Sequence, residues 1–222
     1  MWLIDSSIGR KLIMSITGTF LVLFLLFHSI MNIVVIISPT GYNTICTFLG
    51  ANWYAIVGSG VLAGGFVIHI LYALFLSYQN LCARGKVAYA VNKNQKSVDW
   101  ASQNMLILGT IVFGFLALHL YNFWFKMQFA ELTGNHAHMF AAANGAAYVK
   151  NLFSNWIYCV IYIIWLSALW FHLTHGVWSA LQSLGLNNKT WLPRVKVIAN
   201  VISTIVILMF MSIPVYYLLG FK

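Results

Sequence analysis

The stretch from Leu12 to Ala83 contains no charged residue, and this feature constrains the fold more than any other. A water-soluble domain ordinarily has about a quarter of its residues charged. Here only 7% of 222 residues are charged and 61% are hydrophobic. Because a solvated surface cannot be built from this composition, we exclude a soluble enzyme, a disordered protein and a small secreted domain held by disulfides. The sequence predicts an integral membrane protein.

Five apolar segments are long enough to cross a bilayer. A helix that spans about 30 Å of hydrocarbon needs roughly 20 apolar residues, whereas barrel strands would show about ten residues of strict alternation. The prediction is an all-α, five-helix transmembrane bundle forming one domain over residues 1–222, with helices at about 12–37, 53–81, 101–125, 152–182 and 197–221. We expect Pro39 to end the first helix, Pro193 to lie in a loop and Pro214 to kink the last helix.

The basic residues predict the orientation, because Lys and Arg are enriched in cytoplasmic loops. Nine fall on one side: Arg10, Lys11, Arg84, Lys86, Lys93, Lys96, Lys189, Arg194 and Lys196. Three fall on the other: Lys126, Lys150 and Lys222. This sorting predicts a multi-pass protein with its N-terminus in the cytoplasm and its C-terminus outside. The clusters are short and lie between apolar runs, so the net charge of +9 does not indicate nucleic-acid binding.

Histidine is the one ionisable residue type within the predicted hydrophobic cores, where such groups are costly and usually functional or paired. His28, His69 and His119 lie on the first three helices, one on each, and His172 and His175 lie on the fourth. A helix-to-helix hydrogen bond explains a single histidine as well as a ligand role does. Because four helices each contribute a histidine, a purely structural hydrogen-bonding role explains the set less well.

The depths of the histidines separate them into two pairs. Counted from the predicted outer end, His28 and His119 lie 10 and 7 residues deep, whereas His69 and His172 both lie 17 residues deep. At 1.5 Å per residue the offset is roughly 9–15 Å. The pattern predicts two bis-histidine sites stacked across the membrane.

Two histidines at each level suit haem better than zinc. A zinc site needs four converging ligands, whereas haem iron takes two axial ligands and imidazole is a common one. Gly18 and Gly109 each lie ten residues before the histidine of their own helix, which accommodates either a flat macrocycle or close helix packing. No C-x-x-C-H motif occurs, so the haems would be two non-covalent b haems. We interpret Cys46, Cys82 and Cys159 as structural.

Four segments carry a resemblance to a known family. They are SSIGRKLIMSITGTFLVLFLLFHSIMN at 6–32, VIHILYALF around His69, LHLYNFW around His119 and FHLTHGVWSALQSLG at 171–185. With them the whole chain resembles the five-helix, di-haem cytochrome b subunit of succinate dehydrogenase and quinol:fumarate reductase. The last segment is the most specific, because a histidine followed by H-G-V-W-S is much rarer than a lone intramembrane histidine.

The resemblance implies residue roles. His28 and His119 would bind the haem near the outer face, and His69 and His172 the haem near the inner face. His175 would have a supporting or propionate-side role, and it stays open as an alternative ligand. Propionates want cations, hydroxyls or amides, which are available at Arg10, Lys11, Ser15, Ser179 and Gln182 on the inner side and at Asn122 and Lys126 on the outer side. Simple interface anchoring explains each of these equally well.

The resemblance also implies partners in a bacterial inner membrane. A flavoprotein subunit with FAD and an iron–sulfur subunit would lie on the cytoplasmic side, and menaquinone would bind near the outer haem. Some relatives have a glutamate on helix two and another shortly before the last ligand. This chain has neither, since Trp170 stands two residues before His172. The remaining candidates on the quinone side are Glu131, His136 and His138, whose alternative reading is an exposed polar loop.

Two other functions stay open. One is a di-haem cytochrome b of another quinone-linked complex, such as a hydrogenase or formate dehydrogenase; the H-G-V-W-S segment and the ligand order disfavour it. The other is a channel or transporter with structural histidines, which would show broken helices or paired half-symmetry around a substrate site.

Overall fold

The computed structural model describes residues 6–50, 52–84, 100–134 and 140–221, and within these ranges the secondary structure is helical with no strand. Five helices are long and apolar enough to cross a membrane. We call them the first to fifth spans: Ser7–Ile37, Trp53–Ala83, Met105–Leu132, Trp156–Ser183 and Trp191–Leu218. For the described residues, the predicted all-helical fold is confirmed, with five helices long and apolar enough to cross a membrane.

Two spans begin earlier than predicted. The first starts at Ser7, because the Ser6 hydroxyl accepts a hydrogen bond from the Gly9 amide at 3.0 Å and caps the helix. The fifth starts at Trp191, so Pro193 lies in its first turn and not in a loop. The first turn tolerates proline because its amides have no partner within the helix. Pro214 does lie inside the fifth span.

Ser38 separates the first span from a short helix that the sequence analysis missed. Its amide donates to Val34 O at 2.8 Å and ends the span. Its hydroxyl accepts from Gly41 N at 3.1 Å and caps a second helix, Pro39–Phe48, in which Pro39 occupies the first turn. Pro39 therefore follows the end of the first helix as expected, but it begins a new one.

The third span extends seven residues beyond its predicted end at 125. A short helix, Trp100–Gln103, precedes it, and after His119 the chain continues as a π-helix, Leu120–Phe129, and a last turn, Ala130–Leu132. A residue typical of a helix end follows only at Gly134, which has a φ of 65°. Lys126 and Glu131 are consequently helical, whereas the sequence placed Glu131 on a loop.

The predicted fourth helix, 152–182, starts too early, because its first two residues belong to a separate helix. That helix is Gly145–Phe153, capped by Asn144, and the fourth span follows it. Asn155 begins the span by accepting from Ile157 N at 3.0 Å. Asparagine at a helix start satisfies an otherwise unpaired amide, so the break at Ser154 and Asn155 has a local cause.

The fourth span is the centre of the bundle. It contacts the first, third and fifth spans, and the fifth packs against it most extensively. Its buried face includes Leu166, Leu169 and Leu173, which form a core with Ala199 and Ile207 of the fifth span. The second span packs mainly on the first, and none of its most apolar window is buried. Its position therefore depends on the first span.

The Pro39–Phe48 and Gly145–Phe153 helices pack together at one end of the bundle, which we call the capped end. Asn43 joins them, since its amide nitrogen donates to Asn144 Oδ1 at 3.0 Å and its oxygen accepts from Ala146 N at 2.9 Å. The opposite end, which we call the N-terminal end, contains the start of the first span and the turn between the fourth and fifth spans. The two ends differ because only the capped end has these extra helices within the described residues.

Replacing Gly65 with leucine should loosen the second span. A Cβ at Gly65 would lie 2.7 Å from Cε1 of Phe20 on the first span, so the Phe20 ring or the helix itself would have to shift. Overpacking of this kind costs about 1–3 kcal/mol. We expect a lower Tm for the purified protein in detergent. Gly64→Leu is the matched control, because no described atom lies within 4 Å of a Cβ there; an equal loss in both variants would contradict this packing.

Candidate functional site

His28 and His119 form a facing pair between the first and third spans. Their ring centroids lie 5.9 Å apart and the ring planes are nearly perpendicular, at 89°. We call them the first pair. They lie toward the capped end, because His28 is ten residues from Ser38 and His119 is the last α-helical residue before the π-helix.

His69 and His172 form the second pair, between the second and fourth spans. The two rings lie within electrostatic range of each other. Each also faces a glycine of a neighbouring span. A Cβ on Gly18 would lie 3.5 Å from His69 Cε1, and a Cβ on Gly109 would lie 3.7 Å from His172 Cε1.

The two glycine contacts fix the separation of the pairs. Gly18 lies ten residues before His28 on one helix, and Gly109 lies ten residues before His119 on another. Ten residues of α-helix correspond to about 15 Å. Both helices therefore place the second pair about 15 Å from the first, toward the N-terminal end. This is the upper limit of the offset expected from the sequence.

Gly18 and Gly109 lie next to the second pair, although each shares its helix with a histidine of the first pair. Gly18 and Gly109 are the small residues expected where a flat group lies against a helix, and each contacts a ring of the second pair. Glycines of the second span behave differently: Gly65 packs on Phe20, whereas Gly58, Gly60 and Gly64 face no described atom within 4 Å. Close approach is thus confined to Gly18, Gly65 and Gly109 among these glycines.

Aromatic rings surround the first pair. Phe24 stacks on His28 at 5.1 Å between centroids, and Phe210 approaches the same ring at 5.6 Å. Trp165 and Phe123 lie 5.6 and 5.2 Å from His119. Such a surround lowers the local dielectric constant and fixes the ring orientations.

The first span supplies an Nδ1 partner to one histidine of each pair. Thr17 Oγ1 lies 3.3 Å from His69 Nδ1, and Asn32 Nδ2 lies 3.2 Å from His28 Nδ1. In contrast, Nδ1 of His119 and of His172 is buried and has no hydrogen-bond partner among the described residues. Sequence analysis missed Thr17 and Asn32, although Asn32 stands one helical turn after His28.

His175 lies one turn beyond His172 and interacts with it electrostatically. Its ring packs edge-on against Trp178 at 4.8 Å. Lys196 of the fifth span lies over the same Trp178 ring, with Nζ 4.4 Å from the ring centroid. The residue therefore belongs to a cationic and aromatic cluster toward the N-terminal end, next to the second pair.

The predicted polar partners mostly have hydrogen bonds within the chain. Arg10 donates to Gln79 at 2.8 Å and Gln182 donates to Asn187 at 3.2 Å. Asn122 is buried and donates to Tyr162 at 3.3 Å. The others are placed as follows: Lys11 is exposed, Ser15 is bonded to Lys11 O, Ser179 is half-buried with its carbonyl bonded to Ser183, and Lys126 lies over the Tyr121 ring.

The predicted quinone-side residues are only partly described. His136 and His138 lie outside the described residues. Glu131 is exposed in the last turn of the third span, beside Gly50. One turn earlier is a residue that the sequence analysis missed: Gln128 accepts from Ser59 and Trp124, both at 2.8 Å, and donates to Gly50 O at 3.0 Å.

Each pair offers two imidazoles, which is the number of ligands that a six-coordinate haem iron takes from a protein. The described residues contain no cluster of three or more histidine, cysteine or acidic side chains suited to a bare metal ion. The rings of the first pair lie 5.9 Å apart between centroids, which is close enough for both to hold one bound group. Scans of known protein families, curated proteins and solved structures find no match to this chain.

Replacing Gly109 with leucine should displace the His172 ring, because a Cβ there is already in van der Waals contact with Cε1 at 3.7 Å and the rest of the leucine side chain needs further room. Replacing Gly18 with leucine should displace the His69 ring for the same reason. We expect the largest change in the imidazole ¹⁵N resonances of His172 in G109L and of His69 in G18L. Gly114→Leu, where a Cβ meets no described atom within 4 Å, should change neither; a larger effect on the opposite ring would contradict the contacts.

Proposed function

We propose that this chain is the membrane cytochrome b subunit of a succinate:quinone oxidoreductase, either succinate dehydrogenase or fumarate reductase. It would bind two b haems and pass electrons between an iron–sulfur subunit and menaquinone. The observation that carries the proposal is the geometry of the two histidine pairs. Four spans each contribute one histidine to the pairs. The rings of the first pair lie 5.9 Å apart between centroids, those of the second pair interact electrostatically, and the two sites lie about 15 Å apart along the helices.

The residues present fit haem as the group held by each pair. His28 and His119 would hold one haem, and His69 and His172 would hold the other. A bound haem iron supplies one-electron transfer between its ferric and ferrous states. The chain holds the ligands on four rigid helices, so the sites would need little rearrangement between those states.

The surroundings of the pairs suit electron transfer without proton transfer. Phe24, Phe210 and Trp165 exclude water from the first pair. Glu131 is the only acidic residue of the described chain, and it lies at the capped end of the third span. Protons taken up or released with quinone would therefore be exchanged at the capped end, and no carboxylate would carry them along the spans.

The charge distribution supports the proposed arrangement of partners. Arg10, Lys11, Lys189, Arg194 and Lys196 all lie at the N-terminal end. By the positive-inside rule this end faces the cytoplasm, where the iron–sulfur subunit and the FAD-containing flavoprotein would bind. The second pair would then receive or deliver electrons on this side, and the first pair would exchange them with menaquinone. The membrane would be a bacterial inner membrane.

The quinone site would lie at the capped end of the third span. Gln128, Ser59 and Trp124 form a hydrogen-bonded group there, with Glu131 one turn away. A quinone ring is recognised by hydrogen bonds to its two carbonyl oxygens, which amide, hydroxyl and indole groups can donate. Glu131, His136 and His138 stay proposed proton acceptors.

The direct test is haem stoichiometry. The chain should be purified with its haem and measured by a reduced-minus-oxidised spectrum, and we expect two b haems per chain. His28→Ala and His119→Ala should each remove the same haem, and His69→Ala and His172→Ala the other. A chain that contains no haem after expression with sufficient haem supply would contradict the proposal.

His175→Ala is the matched control within the same helix. His175 lies one turn from His172 and is packed on Trp178, so its removal should leave both haems in place. Loss of one haem from H175A, with both haems retained in H172A, would show that His175 is the ligand. Reduction of both haems by succinate in the complete complex, but not by formate or hydrogen, would distinguish this function from that of other quinone-linked complexes.

A further inference from the structure

The two Nδ1 contacts of the first span carry an inference that rests on the proposed function. An imidazole that binds iron through Nε2 must have its proton on Nδ1, and the partner of Nδ1 decides where that proton lies. The partner must therefore be able to accept a hydrogen bond. Only His28 and His69 among the four histidines have a described side-chain partner at this atom.

Thr17 meets this requirement for His69. Its hydroxyl has a single hydrogen, which is directed at the carbonyl oxygens of Ile13 and Met14 at 2.9 and 3.1 Å. The lone pairs of Oγ1 remain available to His69 Nδ1 at 3.3 Å. A ring next to an oxygen that can only accept has its proton on Nδ1, so Nε2 is free to bind a metal.

Asn32 faces His28 with the opposite polarity. Its amide nitrogen donates to His28 O at 2.7 Å and lies 3.2 Å from His28 Nδ1, while its oxygen accepts from Tyr42 OH at 2.9 Å. In this orientation Nδ1 accepts and the ring proton lies on Nε2, which blocks iron. A half-turn of the amide exchanges the two groups, because its oxygen and nitrogen occupy nearly the same space. Asn32 Oδ1 would then accept from His28 Nδ1, and the side chain would have to shift away from His28 O, because two oxygens repel at the 2.7 Å that now separates Asn32 Nδ2 from that carbonyl.

Tyr42 can satisfy both amide orientations. A phenol hydroxyl donates one hydrogen bond and also accepts, so it can face Asn32 Oδ1 or Asn32 Nδ2. Tyr42 is only 8% exposed and lies beside Cys46 at the capped end. Burial, followed by the neighbouring Cys46 thiol, raises the pKa of Tyr42, so the hydroxyl stays protonated at physiological pH.

We propose that the first span sets the ring proton of one ligand in each pair: Thr17 keeps His69 ready for iron, and Asn32, supported by Tyr42, turns over to do so for His28. Thr17 and Asn32 are positioning residues, because they act on the iron through the histidines. A hydrogen-bond acceptor on Nδ1 makes the imidazole a stronger donor to the metal. Each residue therefore lowers the midpoint potential of one haem and not of the other.

The experiment is a redox titration of the haem-loaded chain, followed by absorbance, with Thr17→Val and Asn32→Leu. Both changes keep the branching of the side chain and remove the acceptor. T17V should raise the midpoint of the haem that His172→Ala removes, and N32L should raise that of the haem that His119→Ala removes. If a variant loses a haem instead, the lost haem must be the same one.

Conservative variants separate hydrogen bonding from packing. T17S keeps the hydroxyl and should titrate like the unmodified chain, whereas N32D replaces the amide with a stronger acceptor and should lower the midpoint. Unchanged midpoints in T17V and N32L, or larger shifts at the opposite haem, would overturn this inference. An unmodified chain without haem would instead overturn the proposed function, so the two failures are distinguishable.

Discussion

Hydrocarbon offers no hydrogen bonds, and this constraint governs every polar group in the spans. Backbone amides are satisfied by the helices themselves, so only the few polar side chains still need hydrogen-bond partners. Hydroxyls such as Ser15, Thr110 and Ser167 return their hydrogens to carbonyls of their own helix. Imidazoles cannot do this easily, because their two nitrogens point in different directions. The first span supplies side-chain partners to two of them, Thr17 to His69 and Asn32 to His28, and the bundle brings the four rings together in pairs.

The number and type of spans could be predicted because they depend on composition alone. The depths of the histidines could also be predicted, since a helix advances by a fixed 1.5 Å per residue. The contacts of Gly18 with His69 and of Gly109 with His172, which were not predicted, agree with that offset. Along the membrane normal, sequence distance is a reliable measure.

Features that depend on rotation about a helix axis, or on events at helix ends, could not be predicted. The π-helix after His119 carries no sequence signal, and it moves Lys126 and Glu131 from a predicted loop into the third span. The short Pro39–Phe48 helix was hidden because proline ends one helix and begins another equally well. The contact of Tyr42 with Asn32 depends on the position of that short helix. The hydrogen bonds that connect Tyr42 through Asn32 to His28 could therefore not be predicted from the sequence.

The central claim is that each histidine pair holds a flat group between two imidazoles. Cryo-electron microscopy of the purified chain tests it most directly, because a macrocycle has a planar density that no side chain resembles. The account predicts two such densities, one between His28 and His119 and the other between His69 and His172, about 15 Å apart along the helices. Direct contact of the paired rings with no density between them, or a single site shared by all four histidines, would contradict it.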